Sequence, residues 1–365
     1  MNWIKVLFFN FLIFFALIGL TFLAPPAAVS LYRIFQPIPF HASAALPNYE
    51  NAPWIKPYLL EYAQLNTRYE DYVVWRTDNF SGEHINVQNE LRATTGSISK
   101  SNTEAWFFGG STMWGLGVND QNTIPSIYTQ KTGIKSINYG ENGHMARQSL
   151  AQLHNNYLIN INQEKPRRLV AFYNGVNHVQ YLCRKNSSPL GSSQEAMIRA
   201  KNTTEIFSYK QTFKQLTYFF SNLTHKIAIK TGESIETHDC HTNTNKADTI
   251  ALRLVTIWEE ASKVAESQGD DFLAILQPVA FQGSPNTSYL KNLDENNRLA
   301  RDQFSTLYPL IRQHALRSGI NFIDLTSVYD NCEFCYIDFC HVSHNANHLI
   351  VNSILESLQS LELNY

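Results

Sequence analysis

The chain has 365 residues, 44% of them hydrophobic and 16% charged, with a formal net charge of −2. That balance fits one large globular body or two small ones, and the lack of a basic stripe argues against a nucleic-acid partner. No repeat with a period of about 20–50 residues is present, which excludes a solenoid.

Residues 1–36 read as a membrane anchor or an export signal. The stretch "VLFFNFLIFFALIGLTFLA", Val6 to Ala24, carries no charge. As a helix at 1.5 Å per residue it would span roughly 28 Å, close to the thickness of a bilayer core. Pro25 and Pro26 end it. The apolar run of a cleavable signal is usually only about 7–15 residues, so an uncleaved transmembrane helix is expected, although Ala28-Val29-Ser30 also suits cleavage. Lys5 precedes the span and Arg33 follows it. With the terminal amine on the Lys5 side, the positive-inside rule places the body outside the cytoplasm, periplasmic or extracellular.

Residues 37–103 form a linker and an N-terminal packing segment: Pro37 to Pro57 is rich in Pro and Ala without periodicity, and Tyr58 to Thr95 suggests a short helix and some extended pieces. The main domain is expected over 104–365. Short apolar runs bounded by turn residues predict strands at 105–108, 134–138, 168–173, 271–276 and 321–325. Between them, helical periodicity covers about 124–132, 147–160, 247–268 and 294–318. Such alternation predicts a parallel sheet with helices on both faces. A polar block at about 184–245, containing "YKQTFKQLTYFFSNL", interrupts it and reads as an insertion at the mouth of the site.

In open parallel sheets, ligands bind at the carboxyl ends of the strands, so the turns there are the place to look for chemistry. Gly109-Gly110-Ser111 follows the first strand, "YGENGH" with Gly143 the second, "NGVNH" with Asn177 the third, and "YIDFCH" with Asp338 and His341 comes after the last. Acyl transfer uses this inventory. A serine hydroxyl needs an imidazole to take its proton, the imidazole needs an acceptor to fix its tautomer, and the tetrahedral intermediate needs donors for its oxyanion. Ser111 is the candidate nucleophile, His341 the candidate base and then acid, and Asp338 the group orienting His341. The N–H groups of Ser111 and Gly143 and the Asn177 amide are the candidate oxyanion donors, with Trp114 and His178 as candidate substrate contacts. Taken alone, Ser111 in a glycine-rich turn also suits a helix cap.

The blocks "FFGGSTMWG", "INYGENGHMARQSL", "FYNGVNHV" and "DFCH" resemble, in order, the four blocks of the SGNH (GDSL-like) hydrolases. "INVQNELRATT" and "LQP" at 276–278 are similar to a membrane-anchored bacterial branch of that family. The resemblance implies a flavodoxin-like, three-layer α/β/α doubly wound parallel sheet and assigns Ser111, Gly143, Asn177, Asp338 and His341 the roles above. It implies no cofactor and no metal. Two positions depart from the pattern: Gly110 stands where the family has Asp in its first block, and His178 where it has Asp in its third. The second puts a titratable group near the site.

The expected activity is therefore that of a membrane-tethered, extracytoplasmic serine esterase acting on O-acyl or O-acetyl esters of a glycan or lipid. An O-acyltransferase with the same triad, or a silent glycan-binding protein on this fold, are the alternatives. His341, His344 and His348 have the spacing of one helix face and "HDCH" at 238–241 adds candidate ligands, yet no HExxH motif is present and no metal is expected. The five cysteines, Cys183, Cys240, Cys332, Cys335 and Cys340, allow at most two disulfides within the chain.

Overall fold

The computed structural model describes residues 44–159, 166–185, 238–290 and 298–363, with a few single positions and short pieces elsewhere. The chain divides into two units: Met1–Pro39 with Glu205–Ile235, and Phe40–Thr204 with Glu236–Tyr365. The first lies almost wholly outside the described residues, and with it most of the expected span Val6–Ala24 and the helical piece of the polar block. Among the described residues, no helix is long and apolar enough to cross a membrane.

In the second unit, five parallel strands form the heart of an eight-stranded sheet: β6 (Lys100–Gly109), β7 (Ile134–Asn138), β8 (Arg167–Asn174), β9 (Asp271–Leu276) and β10 (Phe322–Asp324). Their order across the sheet is β10-β9-β8-β6-β7, every neighbouring pair parallel. Counted from β6 this is the flavodoxin order 2-1-3-4-5, as expected. The chain leaves β6 for β7 on one side and reaches β8 on the other, so the order reverses between β6 and β8. A crevice opens at such a point beyond the carboxyl ends of the strands.

The strands are apolar on both faces because helices cover both. Trp106, Phe108, Val170, Phe172 and Phe272 face one core with Leu254 and Trp258, from the helix Thr244–Ser267. Ala105, Phe107, Leu169, Ala171 and Ile275 face the other with Ile350 and Ile354, from the helix His344–Ser360. The predicted helices appear as Ile124–Thr132, Ala146–Ile159, Thr244–Ser267 and Arg298–Ser318. Local chemistry sets their ends: Thr123 caps the first, accepting from Ser126 N–H, and Gly133 closes it in the left-handed conformation. Asn243 caps Thr244–Ser267 through Lys246 N–H.

Two features were not legible from periodicity. The segment before the core does more than pack on it. The strands β3 (Phe80–Ser81), β4 (Asn86–Gln88) and β5 (Leu91–Arg92) extend the sheet antiparallel beyond β7, joined there at Arg92 and Asn138. A separate hairpin, β1 (Thr67–Glu70) and β2 (Val74–Thr77), precedes them. These strands are too short to show alternation, and the tight turn between β4 and β5 uses Asn89 and Glu90 at positive φ instead of an Asn-Gly pair. The second feature is the polar block, whose described ends are fastened together by the Cys183–Cys240 disulfide and the pairing of Arg184 with His238.

Candidate active site

Beyond β6 the backbone runs through Gly110, extended at φ −87° and ψ −154°, into the short helix Ser111–Trp114. Gly110 cannot be larger without moving its neighbour: a Cβ there would lie 2.4 Å from Asn177 Nδ2. The turn to Asn177 follows β8 directly, so the Ser111 turn and the Asn177 turn flank the reversal point between β6 and β8.

Ser111 Oγ lies 2.6 Å from His341 Nε2, and His341 Nδ1 lies 2.6 Å from Asp338 Oδ2. The other Asp338 oxygen accepts from the N–H groups of Cys340 (2.8 Å) and His341 (2.7 Å). A carboxylate only accepts, so the proton between Asp338 and His341 belongs to Nδ1 and His341 Nε2 accepts from the Ser111 hydroxyl. Burial pushes the Asp338 carboxyl up, but its electrostatic interaction with His341 and these hydrogen bonds outweigh it and hold the group below its ordinary value. Asp338 therefore stays ionised near neutral pH.

The loop bearing Asp338 and His341 is itself braced. Tyr336 and Val342 pair antiparallel, Ile337 N–H donates to His341 O at 2.9 Å, and the Cys332–Cys335 disulfide lies at its base. It is tied to the Ser111 turn through Thr112, whose hydroxyl donates to Cys340 O (3.4 Å) and accepts from Gln277 Nε2 (2.9 Å). Gln277 sits in the "LQP" stretch immediately after β9, and the sequence had given it no role. A buried polar residue directly after a core strand was the available signal.

Gly143 adopts φ 79°, in the left-handed region open to glycine. The N–H groups of Ser111 and Gly143 have no acceptor among the described residues. Asn177 Nδ2 donates to His144 O at 2.7 Å, which holds the amide while leaving its second N–H for another acceptor. The structure thus gathers Ser111, His341 and Asp338 in one hydrogen-bonded line, and ties the Asn177 amide to the Gly143–His144 turn.

The two suggested substrate contacts are buried. Trp114 is 1% exposed, with the Arg92 guanidinium 4.2 Å from its ring centre, and it packs beneath the turn. His178 is 3% exposed, and burial, reinforced by the Arg147 charge, lowers its pKa to about 3. It contributes a neutral ring rather than a group that titrates near neutral pH. The expected helix face of three histidines does not form, because His341 precedes the helix His344–Ser360. Among the described residues, Asp338, Cys340 and His341 are the one set whose candidate metal ligand atoms converge, within 4.8 Å of one another. Cys340 is a free thiol, and burial followed by the Asp338 charge raises its pKa.

No family model and no curated protein matches the chain. Solved structures similar to it include an α/β hydrolase from the metagenome of Lake Arreo, Spain, at 14% identity and TM-score 0.38, covering 74% of this chain and 100% of that one. A lipolytic protein of the G-D-S-L family from Veillonella parvula is similar at 12% identity and TM-score 0.39, over 70% of this chain and 97% of that one. An acetylxylan esterase from Geobacillus stearothermophilus is similar at 14% identity and TM-score 0.37, over 72% and 95%.

Proposed function

We propose that this chain is a serine ester hydrolase of the SGNH-like type, releasing O-acyl or O-acetyl groups from a glycan or lipid. The observation that carries the proposal is the line Asp338–His341–Ser111, with both links at 2.6 Å, at the carboxyl edge of the sheet. In this reading Ser111 Oγ attacks the ester carbonyl carbon while its proton passes to His341 Nε2. Asp338 stabilises the imidazolium. The N–H groups of Ser111 and Gly143 and the second N–H of Asn177 receive the oxyanion. Collapse breaks the bond to the alcohol oxygen, which leaves with the proton from Nε2, and the acyl group remains on Ser111. Water, deprotonated by His341, then attacks the acyl carbon, and the bond to Ser111 Oγ breaks as His341 Nε2 returns that proton to Oγ, freeing the acid.

The test is hydrolysis of an aryl acetate by the full chain and by Ser111→Ala. The expected loss is about 10⁴-fold or more in kcat. Retained hydrolysis overturns the proposal. With a sugar acceptor present, transfer exceeding hydrolysis overturns the hydrolase in favour of an O-acyltransferase.

We propose further that the enzyme works outside the cytoplasm, tethered through its N-terminal apolar run. The disulfides Cys183–Cys240 and Cys332–Cys335 support an oxidising compartment, and the uncharged run from Val6 to Ala24 supports the tether. A phosphatase fused to the C-terminus, active only after export, is expected to be active; an inactive fusion contradicts the assignment.

A further inference from the structure

The turn that carries Gly143 is held from outside the parallel core. Thr77, at the end of β2, donates twice to the buried carboxylate of Glu141: its N–H to Oε2 and its hydroxyl to Oε1, both at 2.7 Å. Glu141 also accepts from Asn142 N–H at 2.9 Å. Trp75, two residues earlier on the same strand, donates from Nε1 to Asn142 O at 2.8 Å. The Trp75 carbonyl meets His144 Nε2 at 3.0 Å, and its ring packs edge-on against the His144 imidazole, with centres 4.8 Å apart. Glu141, Asn142 and His144, the residues on either side of Gly143, are therefore each gripped by β2. His144 in turn passes its carbonyl to the Asn177 amide.

Two details show that the grip is built rather than incidental. Glu141 and His144 are each only 1% exposed, and among the described residues the hydrogen bonds to their side chains come from β2 and the turn itself. A carbonyl can only accept, so His144 presents N–H at Nε2 and is fixed as one neutral tautomer. Burial pushes its pKa down to about 3, so it stays in that form at neutral pH.

We infer that Trp75 and Thr77 are positioning residues for ester hydrolysis, acting through Glu141 and His144 to hold the Gly143 N–H and the Asn177 amide where the oxyanion forms. The inference rests on the hydrolase reading above. A donor aimed at developing charge stabilises the transition state more than the ground state. Loosening it lowers kcat while KM stays nearly constant.

The test uses Trp75→Phe, which keeps a ring against His144 but loses the bond to Asn142, and Thr77→Val, which loses the hydroxyl but keeps the N–H. Each is measured in the full chain for kcat, KM and thermal midpoint, with Ser111→Ala and the parent alongside. A trifluoromethyl ketone, which forms a tetrahedral adduct with the serine, reports oxyanion binding directly. The expected result is a fall in kcat of about ten-fold per variant, an equal weakening of the ketone and little change in KM, in protein still folded at the assay temperature. Unchanged kcat and ketone affinity in folded variants, with Ser111→Ala inactive, overturns this inference alone. Activity retained by Ser111→Ala overturns the hydrolase reading and this inference with it.

Discussion

Ser111 Oγ stands 2.6 Å from Nε2 of His341, a residue 230 positions later in the chain. What joins them is the sheet. Ser111 rides on the end of β6, and His341 sits on a loop fastened to the Ser111 turn through Thr112. Their relation depends on the group behind His341, and that dependence is open to test.

Replacing Asp338 by Asn puts an amide opposite Nδ1 and exchanges a charged acceptor for one with its own donors. The imidazole then loses both its tautomer and the charge that stabilises its protonated form. The expected outcome is a fall in kcat of about 10³–10⁴-fold with KM within a few-fold, measured on an aryl acetate. Wild-type kcat in Asp338→Asn would remove Asp338 from the mechanism.

The Asn177 amide and Gly110 predict a linked pair of effects. Asn177→Ala removes a donor, and the expected cost is about 10²–10³-fold in kcat. Gly110→Ala introduces a Cβ whose position is 2.4 Å from Asn177 Nδ2, so the amide must move off His144 O. The alanine at 110 should therefore lower kcat in the same sense, and combining the two changes should cost less than their sum. Full additivity would show that Gly110 acts by another route.

Stability should decline as the protein is acidified below neutral. His144 and His178 ordinarily titrate at 6.5, and in the fold burial lowers both to about 3. Between those values the unfolded chain binds protons that the fold refuses. Their stabilisation is therefore present above pH 6.5 and is lost as pH falls towards about 3, by up to about 1.4 kcal/mol per pH unit for each histidine. Glu141 works in the opposite sense, since burial lifts its carboxyl above 4.5 and it favours the fold most at low pH. Urea midpoints from pH 7.5 to 4.5 should fall, and His178→Gln should flatten the slope. A midpoint independent of pH over that range would contradict the buried, neutral histidines.

The two disulfides differ in the loops they close, 57 residues apart for Cys183–Cys240 and 3 for Cys332–Cys335. Chain-entropy arguments give about 4 kcal/mol for the first and under about 2 kcal/mol for the second. Cys183→Ser with Cys240→Ser should therefore lower the thermal midpoint more than Cys332→Ser with Cys335→Ser. The reverse order would mean that the short bridge contributes chiefly through the Asp338 loop above it.

Much of this arrangement was legible in the sequence because the core strands are continuous apolar runs, such as "RLVAFY" and "DFLAIL", ended by glycine or polar residues. Runs of that kind are buried on both faces, and the turns after them were the place to look for chemistry. Less visible was what holds the turns. Trp75, Thr77 and Glu141 act across distances of 64 to 69 positions in the chain, through β2, a strand too short to announce itself. Trp114 and His178 sit beside the motif residues in sequence, and neighbourhood in sequence suggested substrate contacts. Helix geometry turns both side chains inward instead, where burial decides what they do.

Activation of a Ser111 nucleophile by His341 can be read by treating the full chain with a fluorophosphonate and mapping the adduct by mass spectrometry. One adduct is expected, on Ser111, absent from Ser111→Ala and formed at least about 10²-fold more slowly in His341→Ala. An adduct on another residue, or labelling of Ser111 that proceeds at the parent rate without His341, would contradict it.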